Sequence, residues 1–320
     1  HRRGPWRSIE AVEYATLEWV DWFNNRRLLE PIGNVPPAEA EKRYYAMIDD
    51  DDKIPFWEEL GQAVLRHDCR YILQLSHSGR QRDIPDIQYP KGLSSTGKNE
   101  PLHGFECTRM TKSDIDRVVE QFAQGALRAK KAGLDGVELH GANGYLINQF
   151  LSSGINDRKD EYGGSLENRA RFVREIARAI RREVGDDFHL QMKISGTDYN
   201  NAVFPWEGRG NSLDESIKVC QWLEQDGVNA FHVSSGSMFP HPRNPPGGLP
   251  MDVLRNTYAG MAASGRHTVR NFLLFRMWPT GPFFSWWWRH RGGPIIQGIS
   301  LDDARLIKRA VSVPVISTGG

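Results

Sequence analysis

A histidine, an asparagine and a tyrosine crowd one short stretch of the chain: His140, Asn143 and Tyr145 close and follow the mostly apolar run that begins at Gly136. Displaced by three residues at the end of a buried strand, His140 and Asn143 can aim an imidazole N–H and an amide N–H at one acceptor oxygen. Two such donors stabilise negative charge that grows on a carbonyl or nitro oxygen during a reaction. Tyr145, two residues on, carries a phenol of pKa about 10 that can protonate a nearby carbon. Taken singly, these residues have a plainer reading, with His140 capping a strand and Tyr145 packed in a core.

Positioning such a group requires rigid elements, and the sequence predicts them in strict alternation. Helices over Phe56 to Arg66, Ser113 to Ala132, Glu167 to Val184, Ser212 to Asp226 and Leu301 to Val311 each precede a short apolar strand. Those strands run from Arg70 to Leu75, Gly136 to His140, Phe188 to Ser195, Ala230 to Ser234 and Val313 to Ser317. Alternating helix and strand, with strands suited to burial on both faces, argues for an α/β fold built on a parallel sheet. Polar residues gather just after the strands, at Gln74 to Arg80, His140 to Tyr145, Lys193 to Asp198, Ser234 to Ser237 and Ser317 to Gly320. In a parallel barrel that end is the catalytic rim. No G-x-G-x-x-G follows any of the strands, so a dinucleotide fold has no support.

Composition narrows the class without choosing a reaction. The 41 basic and 40 acidic residues give a net charge of +1, which offers no overall field to gather nucleic acid or anionic lipid. Cys69, Cys107 and Cys220 are odd in number and far apart, so they are expected as buried, inert thiols of a reducing cytoplasm. No apolar run approaches the roughly 18 residues of a transmembrane helix. His232 and His241 lack metal-ligand spacing, and no metal is expected. Between Met238 and Gly298 the reading is a large loop whose aromatic run, Phe283 to Trp288, followed by Arg289, His290 and Arg291, serves as packed loop, lid or membrane contact.

The stretch from His140 through Gly-Ala-Asn143-Gly-Tyr145-Leu-Ile-Asn-Gln149-Phe, with Asn156-Asp-Arg158-Lys-Asp160-Glu161-Tyr162-Gly-Gly-Ser165-Leu-Glu167-Asn168-Arg169 after it, closely resembles the Old Yellow Enzyme signature. Gln74-Leu-Ser-His77-Ser-Gly79-Arg80, the strand ending in Lys193, and the final Pro314-Val-Ile-Ser-Thr-Gly319-Gly320 extend the resemblance in the same order. It implies a partial (β/α)8 barrel over residues 50–320, with strands like the third to the seventh. It also implies an FMN-dependent oxidoreductase that draws on NAD(P)H and reduces activated C=C bonds of a small α,β-unsaturated substrate. Under the resemblance His140 and Asn143 form the oxyanion hole and Tyr145 is the proton donor. Lys193 becomes the cation beside the flavin N1 region, Gln74 the partner of the isoalloxazine edge, and Gly319 and Gly320 part of the phosphate grip. Asp157 to Arg169 is expected to order a loop through a polar network of Arg158, Asp160, Glu161 and Arg169, with Ser165 and Asn168 at a helix start.

Residues 1–49 have another texture. Ser8 can cap a helix whose apolar positions are Val12, Ala15, Leu17, Val20 and Phe23, and Gly33 with three prolines ends it. This segment resembles the tail of an insertion-sequence transposase with an integrase-type core. In that family the last catalytic carboxylate lies upstream, so no specific nucleic-acid partner is expected here. The resulting reading is a helical tail fused to an incomplete barrel, a cytoplasmic protein whose open sheet edges invite a homo-oligomer. The alternatives are a non-enzymatic fusion product without tight FMN binding, and a DNA-binding remnant of the transposase.

Overall fold

The structure, a computed structural model, describes residues 48–81, 92–101, 104–202, 205–237, 251–260, 266–292 and 298–317. The expected helix beginning at Ser8, His241, Gly319 and Gly320 lie outside the described residues. Two compact units divide the chain, residues 1–55 and 56–320, and the described strands all belong to the second. In the first, Asp49 to Asp52 are exposed as a solvated acidic run, and the Asp50 carboxylate accepts from the Asp52 backbone N–H at 3.2 Å.

After helix α1 (Ile54–Leu65) come β1 (Ile72–Leu75), the three-residue strands β2 (Gly92–Ser94) and β3 (Cys107–Arg109), and helix α2 (Lys112–Lys131). Next are β4 (Gly136–Gly141), the short helix α3 (Leu146–Leu151), α4 (Leu166–Val184), β5 (His189–Ser195), α5 (Leu213–Gln225) and β6 (Ala230–Ser234). The last elements are α6 (Met251–Gly260), α7 (Arg266–Arg276), α8 (Thr280–Gly292), α9 (Leu301–Ala310) and β7 (Val315–Ser317). The main sheet has the order β1-β4-β5-β6-β7 with every neighbouring pair parallel; β2 and β3 form a separate parallel pair. Chain order equals spatial order along the main sheet, as in a stretch of barrel wall.

Capping fixes where the helices begin. Thr111 and Asp114 form a reciprocal capping box at α2, Ser212 and Glu215 another at α5, and the Ser165 hydroxyl accepts from Asn168 N–H at α4 as expected. Each cap satisfies backbone donors that the first turn leaves open. Helix α2 packs on α4, α4 on α5 and α5 on α9, a row that covers one face of the sheet. That face carries Leu73, Leu75, Val137, Leu139, Leu190, Met192, Ile194, Phe231 and Val233, all buried. Each large side chain so placed stabilises the fold by about 1.5–3 kcal/mol.

The structure corrects several expectations. β4 is buried on both faces as its apolar pattern suggests, but the second face is polar rather than apolar: the period of two places Gln74, Glu138, His140, Gln191, Lys193 and His232 together on it. Cys69 is exposed, since it sits in the turn before β1; Cys107 and Cys220 are buried. The described part of the expected loop from Met238 to Gly298 contains the three helices α6, α7 and α8, with Phe283 to Trp288 inside α8. Pro282 is tolerated there because it falls in the first turn, where its missing N–H has no intrahelical partner to lose. Arg158 does grip Asp160, at 3.0 and 2.5 Å, but Arg169 turns away from that pair. It donates to the Leu151 and Gly164 carbonyls at 2.8 and 2.7 Å and to Glu215 at 2.7 Å, because it is buried against the end of α3.

Candidate active site

Strand β4 ends at Gly141 and delivers His140 to the rim of the polar face. The chain then reverses through Asn143 at φ 57° and Gly144 at φ 76°, two consecutive left-handed residues. At Gly144 this is a requirement for glycine: a Cβ would run into the Ser237 carbonyl oxygen. The reversal is held on all sides. Asn143 N–H donates to the Gly236 carbonyl at 3.2 Å, the Gln81 amide donates to the Asn143 carbonyl at 2.7 Å, and Gly144 N–H donates to the Asn148 side chain at 2.8 Å. Asn148 in turn donates to the buried Asp198 at 3.2 Å, whose other oxygen accepts from Asn211 N–H at 2.7 Å. The rim loops after β4, β5 and β6 are thus one hydrogen-bonded body, which fixes the backbone at Asn143.

The His140 Nδ1 accepts from Ala142 N–H at 3.4 Å, which assigns the proton of the neutral ring to Nε2. Burial, and after it the Lys193 ammonium, pushes His140 down to about 4, so the ring is neutral at pH 7. Tyr145 stands edge-on to that ring, with centroids 4.6 Å apart and planes at 81°. His140 and Asn143 are 7% and 6% exposed, and among the described residues nothing accepts from His140 Nε2 or from the Asn143 amide. Lys193, directly opposite His140 in the β4–β5 register, is half-buried and makes no hydrogen bond or ion pair with a described residue. Three donor side chains without a described acceptor, those of His140, its register partner Lys193 and Asn143 in the turn just after β4, therefore make a set that fits an electron-rich or anionic ligand such as a flavin edge or a substrate carbonyl.

Below them lies a group that the motif reading passed over. Glu138, two residues before His140 and on the same face, accepts from Gln74 at 2.5 Å, from Gln191, and from His232 Nδ1 at 3.0 Å. Burial alone would raise this carboxyl, but the hydrogen bonds from His232, Gln74 and Gln191 outweigh it and hold it at about 2. Gln74 thus commits its amide N–H to Glu138, leaving its carbonyl oxygen for another partner. His232 answers a carboxylate. The only signal for this cluster in the sequence is the i, i+2 spacing of Glu138 and His140.

Residues 34–245 match the family model described as NADH:flavin oxidoreductase / NADH oxidase. The chain belongs to that family. Among similar members of the NADH:flavin oxidoreductases, the N,N-dimethylglycine/sarcosine dehydrogenase of Chromohalobacter salexigens is 41% identical over 190 residues, covering 59% of this chain and 26% of that protein. The NADPH dehydrogenase of Halalkalibacterium halodurans is 38% identical over 65% of this chain and 57% of its own length. The solved Old Yellow Enzyme from Pichia sp. AKU4542 superposes with a TM-score of 0.51 at 25% identity, over 58% of this chain and 52% of that one. The chain therefore spans between about a quarter and somewhat over half of these relatives. Gln74, Glu138, His140, Asn143, Tyr145, Lys193 and His232 all fall within the family match; Gly319 and Gly320 lie beyond it.

Proposed function

We propose that the polar face at the ends of β4 and β5 holds FMN, and that the protein uses NAD(P)H to reduce the activated C=C bond of a small α,β-unsaturated molecule. The observation that carries this reading is the pair of donors, His140 Nε2–H and the Asn143 amide, on two largely buried residues and with no described acceptor. FMN, when bound, supplies the hydride chemistry that no side chain has. The chain's own residues do the rest. His140 and Asn143 hydrogen-bond the substrate oxygen on which negative charge grows, and His140 does so as a neutral donor because its pKa is near 4. Tyr145, edge-on to His140, delivers a proton to the α carbon. Lys193 places a positive charge beside the bound group, and Gln74 offers its remaining carbonyl. Gly319 and Gly320 are proposed for the phosphate. Relatives named as NADPH dehydrogenase and Old Yellow Enzyme support the same reading.

The test is an absorbance spectrum of the purified, gel-filtered chain, with and without added FMN. A retained flavin band that bleaches anaerobically with NADPH and recovers with cyclohexenone is expected. His140→Ala should slow the recovery by about 100-fold. Protein that stays colourless after incubation with FMN would overturn the proposal. The likeness of residues 1–49 to a transposase tail remains a separate proposal about origin and adds nothing to this chemistry.

A further inference from the structure

Helices α6, α7 and α8 lie beyond the span that matches the family, and the proposed chemistry uses none of their residues. They have a small core of their own: Leu254, Tyr258 and Phe275 pack together with Met251, Phe272 and Phe284, and the Tyr258 and Phe275 rings stack at 5.3 Å. With that core filled, a second set of large apolar side chains faces outward. On α7 these are Val269 and Leu273, four apart and so on one helical face, with Met277 just past its end. On α8 they are Phe283 and Trp286, three apart and in ring contact at 6.0 Å, each 53% exposed. Trp278, at the corner between the two helices, is 84% exposed. Scattered exposed apolar residues are ordinary, but aromatics concentrated on one helical hairpin mark an interaction surface.

Charge identifies the partner. Residues 251–292 hold six arginines against the single Asp252, and no acidic residue occurs between Asp252 and Asp302, although the whole chain carries only +1. Arg270, Arg276, Arg289 and His290 are exposed alongside the aromatics. Arg255 and Arg276, with Asp252 and Asn256, also line an open cleft of about 560 Å³ on α6 and α7. No described helix is long and apolar enough to cross a bilayer, so contact would be made from the surface. Exposed indoles at a projecting corner, ringed by guanidinium groups, match the boundary between acyl chains and anionic headgroups, where Trp sits at headgroup depth and Arg pairs with phosphate. We propose that the α7–α8 hairpin docks this protein onto an anionic lipid bilayer.

The full chain is mixed with vesicles of phosphatidylcholine alone, or of phosphatidylcholine with phosphatidylglycerol, and sedimented. Binding is expected only to the vesicles with phosphatidylglycerol and should fall as salt rises. The exposed double substitution Phe283→Ala/Trp286→Ala should weaken it by about tenfold or more, and Arg276→Gln/Arg289→Gln likewise. Brominated lipid should quench the tryptophan fluorescence of the unaltered protein, a readout that does not depend on how the variants fold. Equal binding to neutral vesicles, no quenching, or binding indifferent to both double variants would overturn the proposal. So would a wild-type dimer on sizing chromatography that Phe283→Ala/Trp286→Ala converts to monomer while neither form sediments with vesicles, because the surface would then join two copies.

Discussion

The protonation of His140 is set by where β4 leaves it. Its ordinary pKa of 6.5 falls to about 4 in the folded chain, so between those values the unfolded state binds a proton that the folded state refuses. Stability must therefore drop as pH falls from 6.5 toward 4, by up to about 3 kcal/mol. Glu138 extends the loss. Its folded pKa of about 2 lies below the ordinary 4.5, so its stabilising contribution is present above 4.5 and disappears as pH falls from there toward 2. Urea midpoints measured across this range should show a steep wild-type slope from pH 6.5 to 4 that His140→Gln flattens; parallel curves for the two proteins would refute the assignment. The donor pair at His140 and Asn143 was legible in the sequence because strand end and turn are neighbours along the chain. The Glu138 cluster was not, because Gln74, Gln191 and His232 come from three other strands, and only the register of the sheet brings them to one carboxylate.

At the level of elements, one side chain serves both α4 and α5. Glu215 closes the α5 capping box by accepting from Ser212 N–H at 3.0 Å, and it also accepts from the buried Arg169 of α4 at 2.7 Å. Ser212→Ala removes the cap alone and should cost about 1 kcal/mol. Glu215→Ala keeps the Ser212 hydroxyl cap on the backbone N–H of residue 215 but removes the reciprocal bond to Ser212 N–H and leaves the buried Arg169 guanidinium short of its carboxylate, so it should cost distinctly more. Thermal unfolding of the two variants beside wild type decides the order. Most of the alternating helices and strands could be read from periodicity and caps, to within two residues at their ends. The strands β2 and β3 could not, since three residues hold too little of a period-two pattern. Nor were α6 to α8 anticipated. The stretch from Met238 to Gly298 was expected as a loop, whereas Val269, Phe272, Leu273 and Phe275 already carried a helical pattern that Asn271 and the arginines interrupted.

Over the whole molecule, the main sheet separates two chemistries: apolar side chains under a row of helices on one side, ionisable and amide groups on the other. Among the described residues β1 and β7 each have a single strand neighbour, and Ile316 on β7 is 38% exposed. Such an edge is a template for pairing with another chain. Ile316→Lys should reduce any concentration-dependent association seen on sizing chromatography, and an elution profile unchanged across concentrations for the wild type would remove that role. The knitted rim has a different consequence, in time rather than in space. Asn143-Gly144 is the only Asn-Gly pair in the chain. In a loose peptide, the glycine nitrogen attacks the asparagine side-chain carbonyl and expels ammonia, and water then opens the cyclic imide to aspartate or isoaspartate. Here that nitrogen is occupied at 2.8 Å by Asn148, and the left-handed backbone is pinned at both Asn143 and Gly144. The folded protein thus shields this asparagine from ageing. Opening of the rim exposes it, so isoaspartate formed at residue 143 would accumulate with the time a molecule spends with that turn undone.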